Sequence, residues 1–385
     1  MTIRVLNVLA HLSHGGAQLT AIRTANLLQG EDFQCAFAIG VRDQDGALVT
    51  TLEKSDHKVI QMPTLKRTIS FVSDLRALFS LVQILRSGRF DIVHSHGAKA
   101  GVLVRIASVF CPKVGAVHTV HGWNFYDDQR RLKKTLIIML ERLCFFIGGT
   151  HSVVTDADAK KAEYHAIARA SEFRLIRGGI DLNPYFAVRG KRKAGRKALG
   201  LRSDLKVVGS VMRLCPEKAP DEYLRVADQV LQARLDVVFV LVGGGPLEML
   251  VREKIASMGW GKRLLYLGER RDIPIVLSSF DIFLISSRTE GLPRTVLESL
   301  AANIPVVATD VGGIYEVVTP GENGYLCQPS NTRCLTDSIT KMLDNPLITQ
   351  TDKPLTPLSV LEAFSEERMA ADWIRCYRDV YHSIK

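Results

Sequence analysis

The feature that most constrains the fold is a rhythm of short apolar runs that alternate with stretches of helical pattern. The runs occupy residues 3–9, 34–40, 58–61, 91–94, 114–120 and 152–155, and then 207–211, 237–242, 264–267, 282–285 and 305–308. Short runs of Val, Ile and Leu separated by helices predict parallel strands whose two faces are both covered. Because the rhythm occurs twice in 385 residues, the sequence predicts two doubly wound α/β domains.

The rhythm breaks between residues 178 and 204, where Asn-Pro, several glycines and a basic cluster follow one another. Such a composition is typical of a linker. We therefore expect a first domain at residues 1–183, a second at 184–364 and a closing helix at 365–385, which begins at Ser365. Open parallel sheets bind ligands at the carboxyl ends of their strands, so the residues that follow the strands are the candidates for a site.

Most of the net positive charge lies in the first half of the chain. The formal net charge is +10, and residues 1–189 hold 24 Lys and Arg against 16 Asp and Glu. A basic domain suits an anionic membrane, a nucleic acid or a phosphorylated ligand. No zinc, RNA-recognition or helix-turn-helix motif stands out, and aromatic residues make up only 7%. We therefore expect no nucleic-acid partner.

The cysteines and the apolar segments bear on the compartment. Seven cysteines are scattered without C-x-x-C spacing, which argues against a disulfide framework or a thiolate metal site and fits a reducing cytosol. The N-terminal residues lack the features of a secretory signal. The most apolar stretch, residues 135–149, is too short for a membrane span. We expect a buried helix there, with membrane contact as the alternative.

Two glycine-containing loops are candidates for phosphate binding. Gly15 and Gly16 precede a predicted helix, whose first amides favour an anion, although a plain tight turn is equally consistent with them. The loop of residues 242–250 lacks the last glycine of a dinucleotide fingerprint, because Glu248 stands there. Neither loop has the Gly-Lys-Ser/Thr of a P-loop. The sequence therefore disfavours a nicotinamide dehydrogenase and a P-loop enzyme.

Two cations and two acids follow later strands. Arg213 and Lys218 lie beyond the strand at 207–211, where a planar fork and a point charge suit a diphosphate. In RTEGLPRTVLESLA, Glu290 and Glu298 bracket the start of a helix at Pro293. Carboxylates accept hydrogen bonds from vicinal hydroxyls, and the helix start favours an anion. The pattern suits a nucleoside diphosphate sugar, although each residue alone is equally typical of a solvated charge.

Four histidines, at positions 94, 96, 118 and 121, lie near the ends of two predicted strands. Clustered histidines are typical of a metal site, but no carboxylate lies at ligand spacing and H-E-x-x-H is absent. We therefore expect no metal. A neutral histidine that bonds a sugar hydroxyl is the preferred interpretation, and His94 is equally consistent with a hydrogen-bonded core histidine.

Taken in order, these segments resemble the retaining family-four glycosyltransferases of the GT-B fold. The matching segments are HGGAQ, DIVHSHG, VHTVHG, RGGID, GSVMRLCPEK, VGGGP, DIFLISSRTEGLPRTVLESLA, PVVATDVGGIYE and GENGYL. The resemblance implies two Rossmann-like domains facing a cleft, the first binding the acceptor and the second binding the nucleotide sugar, and a closing helix that crosses back to the first domain. It implies transfer of a sugar from a nucleotide-diphosphate sugar to a glycan or lipid-linked acceptor in envelope or extracellular polysaccharide synthesis. It also implies no cofactor, no metal and a cytoplasmic protein that is often peripheral at the membrane.

The resemblance also assigns roles to individual residues. Glu290 and His121 would contact the transferred sugar and are the expected catalytic residues, and Glu298 would bind the ribose. Arg213 and Lys218 would bind the diphosphate. The expected donor-binding residues are Gly15, Gly16, Arg213, Lys218, Gly291, Leu292, Pro293, Arg294, Thr295 and Glu298.

The chain departs from the family pattern at three positions. Gln18, Gly178 and Ala219 stand where the family usually has Glu, Asn and Gly, which bears on the acceptor, the interdomain turn and a phosphate loop. One alternative function is a catalytically silent sugar-nucleotide-binding scaffold. Another is an epimerase or phosphorylase of the same fold, which the pair of Glu290 and Glu298 disfavours.

Overall fold

The structure is a computed structural model that describes residues 2–12, 16–30, 32–41, 46–55, 57–66, 68–125, 130–345 and 353–385. The chain forms two compact units. The first unit comprises Met1–Gly179 together with Glu366–Lys385, and the second comprises Ile180–Ser365. The expected boundary lay between residues 183 and 184, and the expected closing helix began at residue 365.

The first unit is built on a parallel sheet, for which the described residues supply seven strands in the order β3-β2-β1-β4-β5-β6-β7. Its strands are β1 Ile3–Leu9, β2 Phe33–Gly40, β3 Lys58–Met62, β4 Ile92–His96, β5 Gly115–Val120, β6 Thr150–Val153 and β7 Arg174–Leu175. Its helices are α1 Gly16–Leu28, α2 Gly46–Glu53, α3 Phe71–Arg86, α4 Ala98–Val109, α5 Arg131–Ile147 and α6 Asp156–Tyr164, with α15 Glu366–Ser383 at the end of the chain.

The strand order decides which helices share a face of the first sheet. The connections through α3, α4 and α5 each step in one direction along the sheet, and those through α1 and α2 step in the other. Because such crossovers are right-handed, α3, α4 and α5 cover one face and α1 and α2 cover the opposite one. Helix α15 joins the second group, since Met369, Trp373 and Tyr377 are buried with β1 and α1 in one apolar cluster.

The second unit repeats this plan on a parallel sheet, whose described strands follow the order β10-β9-β8-β11-β12-β13. Its strands are β8 Lys206–Val211, β9 Val237–Val242, β10 Leu264–Tyr266, β11 Ile282–Ile285, β12 Val306–Thr309 and β13 Gly324–Cys327. Its helices are α7 Asn183–Phe186, α8 Arg192–Ala198, α9 Pro220–Ala233, α10 Glu248–Met258, α11 Ile273–Ser278, α12 Arg294–Ala301, α13 Thr332–Leu343 and α14 Leu358–Glu362. The prediction of two doubly wound α/β domains is therefore confirmed.

Two expectations from the sequence are wrong in detail. Cys327 and Cys334 form a disulfide, because the end of β13 and the first turn of α13 bring their Cα atoms to 5.8 Å. The apolar stretch at 135–149 is not a fully buried helix. Helix α5 buries only one side, which includes Glu141 and Cys144, and leaves large apolar side chains such as Leu136 and Phe146 exposed. None of the helices within the described residues is long and apolar enough to cross a membrane.

Candidate functional site

The carboxyl ends of three neighbouring strands, β8, β11 and β12, meet in the second unit. The loop after β11 is tied to the other two by short hydrogen bonds. Ser286 Oγ donates to the carbonyl oxygen of Ala219 at 3.0 Å, and Thr309 Oγ1 donates to the carbonyl oxygen of Ser287 at 2.6 Å. The structure thus brings together the segments that carry Lys218, Glu290 and the paired glycines.

Lys218 and Glu290 form an ion pair at this edge of the sheet. Lys218 Nζ contacts both carboxylate oxygens of Glu290, and Ser287 Oγ donates to Glu290 Oε1 at 2.6 Å. The carboxylate is nearly buried, with 6% of the Glu290 side chain exposed against 25% of the Lys218 side chain. A buried carboxylate requires such partners, so Lys218 and Ser287 account for its position. A diphosphate that bound Lys218 would compete with this carboxylate for the ammonium group.

Arg288 fixes the two loops relative to each other. Its backbone N–H donates to the carbonyl oxygen of Glu217 at 2.8 Å, and its guanidinium donates to that of Pro216 at 2.7 Å. The same guanidinium forms ion pairs with Asp221 and with the buried Glu222. Backbone and side-chain bonds therefore hold the cation-bearing loop against the acid-bearing loop.

The start of α12 is shaped by a close approach of two backbones. Gly312 has φ +59°, and a Cβ at this position would lie 2.2 Å from the carbonyl oxygen of Gly291 and 2.3 Å from that of Glu290. Gly313 N–H donates to the carbonyl oxygen of Gly291 at 2.6 Å. Only glycine fits at position 312, because the position needs both a positive φ and the absence of a side chain.

The remaining predicted donor residues lie around this helix start. Pro293 is buried and caps α12, while Gly291, Leu292, Arg294 and Thr295 are partly exposed. The first amides of a helix have no partners within it, so this end can accept an anion.

The two remaining charged residues of the predicted donor site differ in exposure. Glu298 is buried, with its Oε1 3.9 Å from Arg294 Nε. Arg213 is exposed on the loop that follows β8.

Ala219 adopts a conformation that favours glycine. Its φ and ψ angles are +49° and +56°, and the residue is fully buried between the Pro216–Lys218 turn and α9. A left-handed conformation costs a residue with a Cβ about 1–2 kcal/mol. The departure from the family pattern at this position therefore places backbone strain next to Lys218.

In the first unit the structure brings together only part of the predicted site. Gly15 lies outside the described residues, and Gly16 begins α1. His121 follows β5, and its Nε2 lies 3.0 Å from His96 Nδ1. Gln18 is buried, with its Nε2 3.3 Å from His11 Nδ1.

The clustered histidines are bonded to one another and to neutral groups. His94 contacts the hydroxyl groups of Tyr377 and Thr119 at 2.7 Å each, which agrees with its interpretation as a hydrogen-bonded core residue. Burial lowers the pKa of His121 to about 4 and the pKa of His96 well below its ordinary value. Within the described part of the chain, no group of three or more His, Cys, Asp or Glu side chains is arranged to hold a metal ion.

Sequence reasoning missed three residues that the geometry makes important, namely Ser287, Gly312 and Asn7. Ser287 bonds Glu290, Gly312 allows the loop to close, and Asn7 and His96 form a chain that ends at His121. The paired glycines after an apolar strand were a usable signal for Gly312. Ser287 lies only three residues before Glu290, so its bond is local. Asn7 contacts His96 across two strands, and its position in the sequence gives no sign of that contact.

Comparison with known protein families assigns both halves of the chain. The family described as Glycosyl transferase 4-like domain matches residues 1–178, and the family described as Glycosyl transferases group 1 matches residues 191–354. The chain is 29% identical over 336 residues to the UDP-Gal:alpha-D-GlcNAc-diphosphoundecaprenol alpha-1,3-galactosyltransferase of Escherichia coli, which covers 86% of each protein. It is 20% identical over 305 residues to the capsular polysaccharide biosynthesis glycosyltransferase CapM of Staphylococcus aureus, with 78% of this chain and 80% of CapM covered.

Solved structures agree with this assignment. Anabaena Alr3699/HepE in complex with UDP superimposes with a TM-score of 0.80 at 22% identity and covers 98% of this chain and 100% of that chain. WaaG, a glycosyltransferase involved in lipopolysaccharide biosynthesis, superimposes with a TM-score of 0.72 at 15% identity and covers 99% of each chain. These likenesses confirm the predicted fold class, a GT-B protein with two Rossmann-like domains.

Proposed function

Because this chain belongs to the group 1 glycosyltransferases, we propose that it moves a sugar from a UDP-sugar to a lipid-linked glycan in cell-envelope polysaccharide synthesis, with retention of the anomeric configuration. The observation that carries the proposal is the cluster of Lys218, Glu290 and Ser287 at the start of α12. It sets a cation, an acid and the first amides of a helix side by side, as a sugar joined to a diphosphate requires.

The chemistry follows from where charge develops. As the bond between the sugar carbon and the diphosphate oxygen breaks, negative charge accumulates on the leaving phosphate. Arg213, Lys218 and the first amides of α12 would stabilise that charge. The acceptor hydroxyl attacks the same face of the sugar, and its proton passes to the leaving phosphate oxygen. Glu290 holds the hydroxyls of the sugar, and Glu298 those of the ribose.

The choice of nucleotide and acceptor rests on the relatives. The E. coli relative is named for a UDP-Gal donor and a diphosphoundecaprenol acceptor, and the Anabaena protein binds UDP. A UDP-sugar and a lipid-linked acceptor are therefore the substrates to test first. A catalytically silent scaffold could use Lys218, Arg213 and Glu298 to bind the nucleotide but would not need Glu290 as a catalytic residue, so we rank it second.

The first experiment combines binding and turnover. Calorimetry with UDP, GDP and ADP tests the nucleotide, and a radiolabelled UDP-galactose assay with a GlcNAc-diphospholipid tests transfer. We expect UDP to bind selectively and EDTA to leave the transfer rate unchanged. Loss of activity in EDTA that a divalent ion restores would contradict the metal-free mechanism. Selective UDP binding without transfer would favour the silent sugar-nucleotide-binding scaffold, and the absence of binding by any nucleotide would contradict both functions.

Substitution of Glu290 tests the site itself. In Glu290→Ala we expect the transfer rate to fall at least about a hundredfold, because the carboxylate contacts the sugar in the transition state. UDP should bind as well as before or more tightly, since Lys218 loses its competing partner. Glu253→Ala, on the exposed side of α10, is the matched control and should retain full activity. Normal turnover by Glu290→Ala would refute the site assignment.

The proposed acceptor requires access to a membrane, and the first unit offers a surface for it. The exposed side of α5, which we call the outer α5 face, carries a stripe of large apolar side chains that are 43% to 89% exposed. Its members are Leu132, Leu136, Met139, Leu140, Leu143 and Phe146. A contiguous apolar stripe on a helix surface marks an interaction site.

The charges around this stripe indicate an anionic lipid surface as the occupant. Arg130, Arg131, Lys133 and Lys134 stand at the start of α5, and the only acid of the helix, Glu141, is buried in an ion pair with Arg105. On the other side of α4, helix α3 exposes Phe71, Leu75 and Phe79 on the same face of the sheet. Basic residues that flank an apolar helix face are typical of helices that lie in a membrane interface. We therefore propose a cytoplasmic protein that is peripheral at the inner face of the membrane.

Vesicle flotation tests the membrane contact. We expect the protein to float with vesicles rich in phosphatidylglycerol and not with pure phosphatidylcholine, and to dissociate at high salt. Replacement of Leu136 and Phe146 by Gln should lower the bound fraction at least about fivefold, since each loses apolar area from the interface. Leu235→Gln removes an apolar side chain that is 84% exposed in the second unit and is the control. Equal binding by both variants would contradict the assignment of the outer α5 face.

A further inference from the structure

Three neutral side chains on or after neighbouring strands of the first sheet form a chain of hydrogen bonds that ends at His121. Asn7 lies on β1, His96 ends β4 and His121 follows β5, and these three strands are neighbours. Asn7 Oδ1 lies 3.2 Å from His96 Nε2, and His96 Nδ1 lies 3.0 Å from His121 Nε2. Asn7 and His96 are buried, with 3% and 6% of their surfaces exposed.

The hydrogen bonds in this chain run in one direction when the amide oxygen of Asn7 faces His96, as it does in the structure. An amide oxygen accepts and cannot donate, so His96 must carry its proton on Nε2. A neutral imidazole has a single N–H, which leaves His96 Nδ1 as an acceptor. His121 must then donate from Nε2 and keep its own Nδ1 without a proton.

The neighbouring groups do not disturb this order. The ring of His94 lies 4.0 Å from that of His96, but its two nitrogens bond the hydroxyl groups of Tyr377 and Thr119. His118 bonds Ser95 at 3.0 Å. The chain also ends in an amide, where a carboxylate would favour a charged imidazolium. Burial lowers the pKa values of His94, His96 and His118, which keeps the rings neutral.

We propose that Asn7 and His96 are positioning residues that hold His121 as its Nε2–H tautomer, so that His121 Nδ1 accepts a hydrogen bond from a substrate hydroxyl. The role in catalysis rests on the proposed glycosyl transfer, whereas the tautomer itself does not. An acceptor nitrogen selects a ligand that donates at this point, namely a hydroxyl of the sugar or of the acceptor. Because His121 Nδ1 carries no proton, His121 cannot protonate a leaving group through this nitrogen.

Long-range ¹H–¹⁵N correlation spectroscopy of the full chain labelled with ¹⁵N-histidine reads the tautomers directly. At neutral pH we expect the proton on Nε2 in both His96 and His121. Asn7→Leu should produce mixed tautomers at both rings, because the acceptor that orders the chain is lost. Ser95→Ala is the matched control, since it removes a hydroxyl on β4 that bonds a different histidine. A proton on Nδ1 of His121 in the native protein, or unchanged tautomers in folded Asn7→Leu, would overturn the proposal.

A second variant guards against misfolding of the first. Asn7→Asp keeps the size and the acceptor but adds a charge, and it should raise the pKa of His96 by about one to three. An unchanged pKa of His96 in this variant would show that residue 7 does not contact His96. In the transfer assay, Asn7→Leu should lower kcat about tenfold or more with little change in KM for the donor. Expected tautomers in a protein without transfer activity would refute the proposed function and leave the histidine chain intact.

Discussion

At the scale of single residues, the candidate donor site depends on groups that compensate for one another. Glu290 is nearly buried and needs Lys218 and Ser287, while Lys218 is the cation that a diphosphate requires. In the structure the cation of the site, Lys218, is therefore paired with the acid of the same site, Glu290. In the proposed mechanism, donor binding would exchange one partner of Lys218 for another, and the released carboxylate would become available to the sugar hydroxyls.

Gly312 is the residue whose replacement should have the largest effect without touching a charge. In Gly312→Ala a methyl group would collide with the backbone of Glu290 and Gly291, and we expect the free energy of unfolding of the second unit to fall by about 2–4 kcal/mol. UDP binding should weaken at least about tenfold. Denaturant unfolding and calorimetry measure the two effects.

Gly321→Ala is the control for this substitution. Gly321 also has a positive φ, +84°, but no atom lies within 4 Å of its added Cβ. Because only the left-handed conformation is affected, the free energy of unfolding should fall by about 1–2 kcal/mol. If the two variants were equally stable and bound UDP equally, the close approach at Gly312 would not matter for the site.

At the scale of secondary structure elements, the sequence predicts the long buried strands well and misses one edge strand of each sheet. Strands such as β9 are continuous apolar runs, and burial on both faces explains why. Strands β7 and β13 were missed. The first has two residues, and the second begins at Gly324 and includes a tyrosine and a cysteine. A strand at a sheet edge needs fewer apolar residues, so its composition resembles that of a loop.

The same limit applies to the candidate site. The helix start at Pro293 and its two acids could be predicted, because capping and charge near a helix end are local properties. The pairing of Lys218 with Glu290 and the bond between His96 and His121 could not. Both join residues on different strands, and their geometry is set by how the sheet aligns those strands. The disulfide between Cys327 and Cys334 escaped prediction because Cys327 ends β13, a strand that was itself missed.

At the scale of the whole molecule, the histidines are distributed unevenly. All ten lie in the first unit, and residues 180–365 contain none. Burial lowers the pKa of His121 to about 4 and that of His151 to about 3, and it lowers the pKa values of His94, His96 and His118 well below the ordinary value. The two units must therefore respond differently to acid.

We expect the first unit to lose stability as the pH falls from 7 towards 4. Below about pH 6.5 the unfolded chain binds protons on these five histidines and the folded chain does not, so protonation favours unfolding. Each histidine contributes roughly 1 kcal/mol of destabilisation at pH 5.5.

Hydrogen exchange at pH 7 and pH 5.5, corrected for intrinsic rates, measures the change peptide by peptide. The second unit is the internal control and should keep its protection. Equal loss in both units, or none in the first, would contradict the role of the histidines.

The path of the chain between the units has a consequence for how such enzymes diversify. Ile180 N–H donates to the carbonyl oxygen of Phe364 at 2.9 Å, and Ile180 pairs with Ser365. The second unit therefore begins and ends at one place, as an insertion between Gly179 and Glu366. A gene exchange with two breakpoints can replace this whole unit while the last helix remains in the core of the first. If the second unit binds the nucleotide sugar and the first binds the acceptor, as the family resemblance implies, the two preferences can in this way be inherited separately.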